Sequence, residues 1–155
     1  MRKLSTYLLL FVLMFAGSAC DSDSNNDSGD AKAFVGVWNL GGISDASGDR
    51  TAAFVAGFNS VAIGFENDLG FSLAVDAVIN EADASYGGTY SLTESSSTVS
   101  VSIVVSGQAF PLVFTYNIVN DNQIKLTATG TTSVLLSTLF NTSFAAPIII
   151  TLVKG

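Results

Sequence analysis

From Ala31 to Gly155 the chain alternates between apolar and polar positions. In Thr98 to Ser106, Val99, Val101, Ile103 and Val105 fall on one face while Ser100, Ser102 and Ser106 fall on the other, and Val104 breaks the pattern. Successive side chains of a strand point to opposite faces, so a period of two predicts a half-buried strand. The same alternation sets Phe71, Leu73, Val75 and Ala77 against Ser72, Ala74 and Asp76. It sets Phe110, Leu112, Phe114, Tyr116 and Ile118 against Thr115 and Asn117, and Ile124, Leu126 and Ala128 against Lys125, Thr127 and Thr129. Near the end, Phe144, Ala146, Ile148, Ile150 and Leu152 share one face.

Turn-forming residues separate these runs at Ser44 to Asp49, Glu66 to Gly70, Glu94 to Ser97, Ser106-Gly107-Gln108 and Asn120-Asp121-Asn122. Asn, Asp, Ser and Gly dominate turns because they tolerate left-handed backbone or bond their own main chain. Strands are expected to begin near Phe34, Thr51, Ser60, Gly70, Tyr86, Thr98, Ala109, Gln123 and Ser143. Spacing this short favours hairpin connections and antiparallel pairing. One apolar and one Ser/Thr face along nearly every strand predicts an all-β, antiparallel up-and-down β-barrel of about eight to nine strands. A two-sheet β-sandwich is the alternative. Residues 131–141 stay open between a short helix, a loop folded on the core and part of a strand.

The N-terminal pattern is different. Met1-Arg2-Lys3 is basic, Leu4 to Phe15 is apolar apart from Ser5, Thr6 and Tyr7, and small residues follow, which is the order of a secretory signal peptide. The apolar run is shorter than the roughly 20 residues a spanning helix needs. Gly17-Ser18-Ala19-Cys20 resembles the lipobox of bacterial lipoproteins, with Ser18 and Ala19 fitting and Gly17 standing where a branched residue is usual. The resemblance implies that Cys20 is diacylated on sulfur and becomes the mature N-terminus, with the membrane as partner. Asp21 to Asp30 contains Asp, Ser, Asn and Gly alone, so it has nothing apolar to bury and reads as a tether. Acidic residues directly after the cysteine resemble the surface-export signals of Bacteroidota lipoproteins, whereas in enteric bacteria Asp at the second mature position favours inner-membrane retention. The expected organisation is therefore a signal peptide at 1–19, a flexible acidic tether at 20–32 and a barrel domain at 33–155. The expected location is the bacterial envelope, at the periplasmic face or the cell surface of the outer membrane.

Composition narrows the chemistry. The chain has no histidine and one cysteine, which removes imidazole and thiolate metal sites, Cys/His and Ser/His nucleophilic pairs and intramolecular disulfides. Without residues 1–19, four cations face thirteen acids, a net charge of −9 that disfavours nucleic acid and anionic lipid surfaces as partners. Asp21, Asp23 and Asp27 lack the downstream bidentate Glu and flanking helices of an EF-hand. Glu66 with Asp68 and Glu81 with Asp83 are carboxylate pairs in turns, where solvation is the ordinary state, so neither an enzyme nor a cofactor is expected. Asn141-Thr142-Ser143 fits a glycosylation sequon by chance in a bacterial lipoprotein.

Gly36-Val37-Trp38 is similar to the Gly-X-Trp start of lipocalins and short bacterial lipocalin-like domains, and Gly88 to Leu92 before Val99-Ser100-Val101, and Tyr116-Asn117-Ile118 before Ile124-Lys125-Leu126, extend the likeness. The resemblance implies that Gly36 lets the strand bend and that Trp38 closes the barrel floor, where the family commonly covers the tryptophan with a late arginine. Here the late cation is Lys154. An interior of about eight strands is either packed by its own side chains or holds one small ligand. The candidate lining for a small apolar ligand is Trp38, Phe71, Leu73, Val101, Ile103, Phe114 and Tyr116. The functional expectation is a lipid-anchored binding or interaction module. Its alternatives are a solid barrel that binds an envelope protein partner and a membrane-embedded outer-membrane barrel.

Overall fold

The computed structural model describes residues 29–77 and 84–155. A short helix, α1 (Gly29–Phe34), leads into β1 (Gly36–Asp45), a two-residue strand β2 (Gly48–Asp49) and a short helix α2 (Thr51–Val55). The chain then runs through β3 (Phe58–Phe65), β4 (Gly70–Ala77), β5 (Ala84–Thr93), a single 3-10 turn (Glu94–Ser96), β6 (Thr98–Val105), β7 (Gln108–Asn120) and β8 (Gln123–Ala128). Helix α3 (Gly130–Leu139) and β9 (Ile148–Lys154) complete it.

Every strand pairing is antiparallel, in the order β2-β1-β3-β4-β5-β6-β7-β8-β9, and β9 returns to β1. That last pairing, Trp38 opposite Lys154 through Ser44 opposite Ile149, closes the sheet into an eight-stranded up-and-down barrel, with β2 as a side hairpin. The closure excludes the sandwich alternative and leaves the barrel without a free edge. Alternation decides what faces inward: Val99, Val101 and Ile103 of β6, Leu112, Phe114 and Tyr116 of β7, and Ile124, Leu126 and Ala128 of β8 are buried. Val104, the exception to the pattern, is exposed on the outer wall.

Three expectations are corrected. The strand expected at Thr51 is helix α2, in which Ala52 and Ala53 favour helix and Phe54 is the one buried side chain. The last strand begins at Ile148 instead of Ser143, after an irregular stretch that ends at Pro147, which has no N–H for a ladder. The first strand starts at Gly36 and not Phe34, because α1 spans Gly29–Phe34 and buries Ala31 and Phe34. The open stretch 131–141 is helix α3 as far as Leu139 and a turn at Phe140 and Asn141: Thr132 and Ser133 seat the helix on the barrel, the Val113 N–H donating to Thr132 Oγ1 at 3.0 Å and Ser133 Oγ donating to the Ala128 carbonyl at 3.0 Å. The signal peptide, Cys20 and the tether before Gly29 lie outside the described residues.

Candidate functional site: a closed base and an apolar mouth

The two ends of the barrel differ. At the base, α1 lies across the opening and its Phe34 is fully buried, edge-on to Phe65 at 5.1 Å and to Tyr116 at 5.0 Å between ring centroids. Phe65 in turn meets Tyr90 at 5.0 Å and Phe71 at 5.6 Å, again edge-on, the arrangement favoured by the ring quadrupole. Trp38 is fully buried, and its indole N–H donates to the Phe34 carbonyl at 2.7 Å, so strand β1 and helix α1 fix each other. The Lys154 Nζ stands 5.2 Å from the Trp38 ring centroid, within cation–π range, so the late cation covers the tryptophan from outside. Gly36 takes φ of +137°, where a side chain is strained, and a Cβ there would press on Lys154 Cε at 3.2 Å. Tyr116 donates its hydroxyl proton to Asp30 Oδ2 at 2.7 Å, and burial first, then this bond, raises its pKa.

At the other end, α2 and α3 fold over the mouth. Phe54 of α2 meets Phe140, just after α3, at 4.9 Å and Phe58 at 5.0 Å. Asp45 ties this end together. Its Oδ2 accepts the Ala145 N–H at 3.0 Å and its Oδ1 the Ser47 N–H at 2.8 Å, while Arg50 Nε lies 3.8 Å away. The Ala145 bond, followed by the Ser47 bond and the guanidinium, holds the Asp45 carboxyl below its ordinary pKa against the opposing effect of desolvation.

Between base and mouth the interior leaves a cavity of about 50 Å³, lined wholly by apolar residues. Of the candidate lining residues, Phe71, Leu73, Val101, Ile103 and Phe114 border this cavity. Trp38 and Tyr116 do not; both are buried, but they sit at the level of α1 and build the floor. Among the lining residues that sequence reasoning missed are Phe54 of α2, Leu136 and Leu139 of α3, and Phe140 just after α3. Their signal was the three- and four-residue spacing within Leu135, Leu136, Leu139 and Phe140, the period of one helix face.

A second space opens at the mouth, a cleft of about 350 Å³ bounded by Tyr86, Ile103, Val105, Phe110 and Leu112 on strands β5 to β7 and by Leu135, Thr138 and Leu139 of α3. Ile103, Leu112 and Leu139 belong to both spaces and separate them by single side chains. An interior of 50 Å³ is about a third of the roughly 150 Å³ apolar cavity that takes up benzene, whereas the cleft falls in the range of small-molecule pockets.

Among the described residues no group of three His, Cys, Asp or Glu side chains is placed to hold a metal. Glu66 and Asp68 lie exposed in the β3–β4 turn at the base, away from both spaces, and Asp68 Oδ1 accepts the Gly70 N–H at 3.1 Å. Glu81 and Asp83 lie outside the described residues. Fold and site together define a closed eight-stranded antiparallel barrel, plugged at one end by a helix and aromatic side chains and carrying an apolar cleft under a helix at the other. No protein-family model matches this chain, and no curated protein matches it either.

Proposed function

We propose that this protein is exported, lipidated on Cys20 and held at the cell envelope, where its barrel binds a small apolar molecule in the cleft beneath α3. The observation that carries the binding half is the cleft itself: about 350 Å³ of space walled by Ile103, Val105, Phe110, Leu112, Leu135 and Leu139. Removing an apolar ligand from water contributes roughly 25 cal/mol per Å² buried, which needs no polar anchor. The anchoring half rests on the basic and apolar N-terminal segment, the small residues before Cys20 and the acidic stretch after it.

The outer wall supports a lipid anchor over an embedded barrel. Outward positions include Ser85, Thr89, Ser91, Ser100, Thr115 and Asn117, all exposed, while the interior is apolar. A membrane-spanning barrel needs the reverse, an apolar outer band. Metabolic labelling with a palmitate analogue should mark the wild-type protein and leave Cys20→Ser unmarked; equal labelling of both removes the anchor. An environment-sensitive apolar dye should bind saturably, and Leu135→Trp, which fills the cleft from α3, should abolish its binding while far-UV circular dichroism stays unchanged. Saturable binding that ignores Leu135→Trp would place the ligand elsewhere. The small interior favours a second reading, a solid barrel that binds an envelope protein through its surface, and absence of any saturable dye binding would select it.

A further inference from the structure

The cleft carries a charge and hydrogen-bond pattern as well as a volume. Of the described residues that bound it, two offer polar side-chain atoms, Tyr86 and Thr138. Thr138 Oγ1 already donates to the Val134 carbonyl at 3.0 Å within α3. Tyr86 is half-buried on β5, and its hydroxyl makes no hydrogen bond among the described residues, so it has a donor to give.

No cation lines the cleft among the described residues. Lys154 lies over Trp38 at the base, Lys32 is on α1 at the same end, and Lys125 points outward from β8. Arg50 is at the mouth end, but it is held beside Asp45 and donates to the Ser143 carbonyl at 3.4 Å, and it is not among the residues bounding the cleft. A carboxylate or phosphate head would therefore give up its hydration without a partner, in a chain whose mature charge is −9. An ammonium head would find no acid among the described residues of the lining either.

Resting on the apolar-ligand reading, we infer that the cleft selects an uncharged single-chain amphiphile whose one neutral polar head accepts a hydrogen bond from Tyr86. Chain length follows from volume. Benzene occupies a 150 Å³ apolar cavity, about 25 Å³ per carbon, so 350 Å³ holds a chain of at most about fourteen carbons. Fatty alcohols, fatty amides and short acylglycerols belong to this class; fatty acids and lysophospholipids do not.

The test uses the exported chain carrying Cys20→Ser and a bound environment-sensitive dye displaced by four C10 probes: decanol, decanoate, decylammonium and 1-chlorodecane. Decanol should displace best, with decanoate and decylammonium at least tenfold weaker at neutral pH. Tyr86→Phe should weaken decanol by about fivefold, the worth of one neutral hydrogen bond, and leave 1-chlorodecane unchanged. Decanoate binding as well as decanol, or a decanol affinity indifferent to Tyr86→Phe, overturns the inference while leaving the apolar-ligand reading standing. Failure of all four probes and of the dye itself overturns that reading instead. Tyr86→Trp keeps an N–H donor on a large ring and serves as the second variant: retention of the preference for decanol over 1-chlorodecane supports a donor role, and its loss counts against one.

Discussion

Replacing Phe34 with alanine asks whether the barrel is closed by a helix or merely preceded by a leader. Phe34 is fully buried, and its ring packs edge-on against Phe65 and Tyr116 at 5.1 and 5.0 Å. Truncating a buried phenylalanine costs about 3 to 5 kcal/mol, the sum of lost transfer energy and the void left behind. This is a large part of the roughly 5 to 15 kcal/mol by which a domain of this size is stable. The indole bond of Trp38 survives the change, since its acceptor is the Phe34 carbonyl and not the side chain. The void therefore opens beside the chain's single tryptophan, which becomes the reporter. Urea unfolding of a chain beginning at Asp21, followed by Trp38 emission and far-UV circular dichroism, should move to a midpoint lower by about 2 M at an ordinary urea dependence. The native emission should also shift to the red as water reaches the base. A residue in a solvated leader would change stability by no more than about 0.5 kcal/mol. A loss below about 1 kcal/mol with an unshifted emission maximum would refute the plug.

Acid should loosen the mouth end before the base. Because the folded-state pKa of Asp45 is lowered, its contribution is present above the unfolded carboxyl pKa of about 3.9 and is lost as pH falls through the folded value. Asp49, lowered by its bonds to Thr51, acts in the same direction; thermal midpoints measured from pH 6 to pH 2 should fall less steeply in Asp45→Asn than in the wild type. Lys154→Met should cost about 0.5 to 1 kcal/mol through lost cation–π attraction to Trp38, read from the same urea curves, and an unchanged midpoint would mean that the contact contributes nothing. Gly88→Ala should destabilise by at least about 2 kcal/mol, because a Cβ at Gly88 would sit 1.9 Å from the Ser102 carbonyl oxygen of the neighbouring strand and neither backbone can yield cheaply. Gly87→Ala, with nothing within 4 Å of the added carbon, is the control and should stay within about 0.5 kcal/mol.

The parts of this molecule that could be read from its residues are those whose structure is decided locally. Val99, Val101 and Ile103 alternate with Ser100 and Ser102 because a pleated strand half in water demands it, and the same demand made β4, β7 and β8 legible. Closure was legible only as an inference, since nothing local in Trp38 or Lys154 says that they lie opposite each other; the β1–β9 pairing says it. The helices were least legible. Helices of six, five and ten residues are too short to be stable alone and exist because tertiary packing holds them, so their residues carry weak helical patterns: one buried ring in α2, two buried side chains in α1, and in α3 seating through Thr132 and Ser133.

Legibility and function therefore part company in this fold. The wall is written strand by strand in the alternation, yet a wall of this size encloses only about 50 Å³, and its own side chains nearly fill it. The larger space, which we propose takes the ligand, lies where α3 stands off from β5, β6 and β7, between Leu135 and Leu139 on one side and Tyr86 and Phe110 on the other. That separation depends on where Thr132 and Ser133 seat the helix on β7 and on the end of β8, a tertiary contact that no period in the sequence announces. The residues expected to line a cavity were inward-facing as read, but the two largest polar-tipped ones, Trp38 and Tyr116, are committed to the base, and the mouth is built by residues whose helical period was the one pattern left open. In a barrel with a nearly full interior the larger space lies under its capping elements, so on the proposed reading selectivity belongs to α3 and the strand ends facing it more than to the barrel wall.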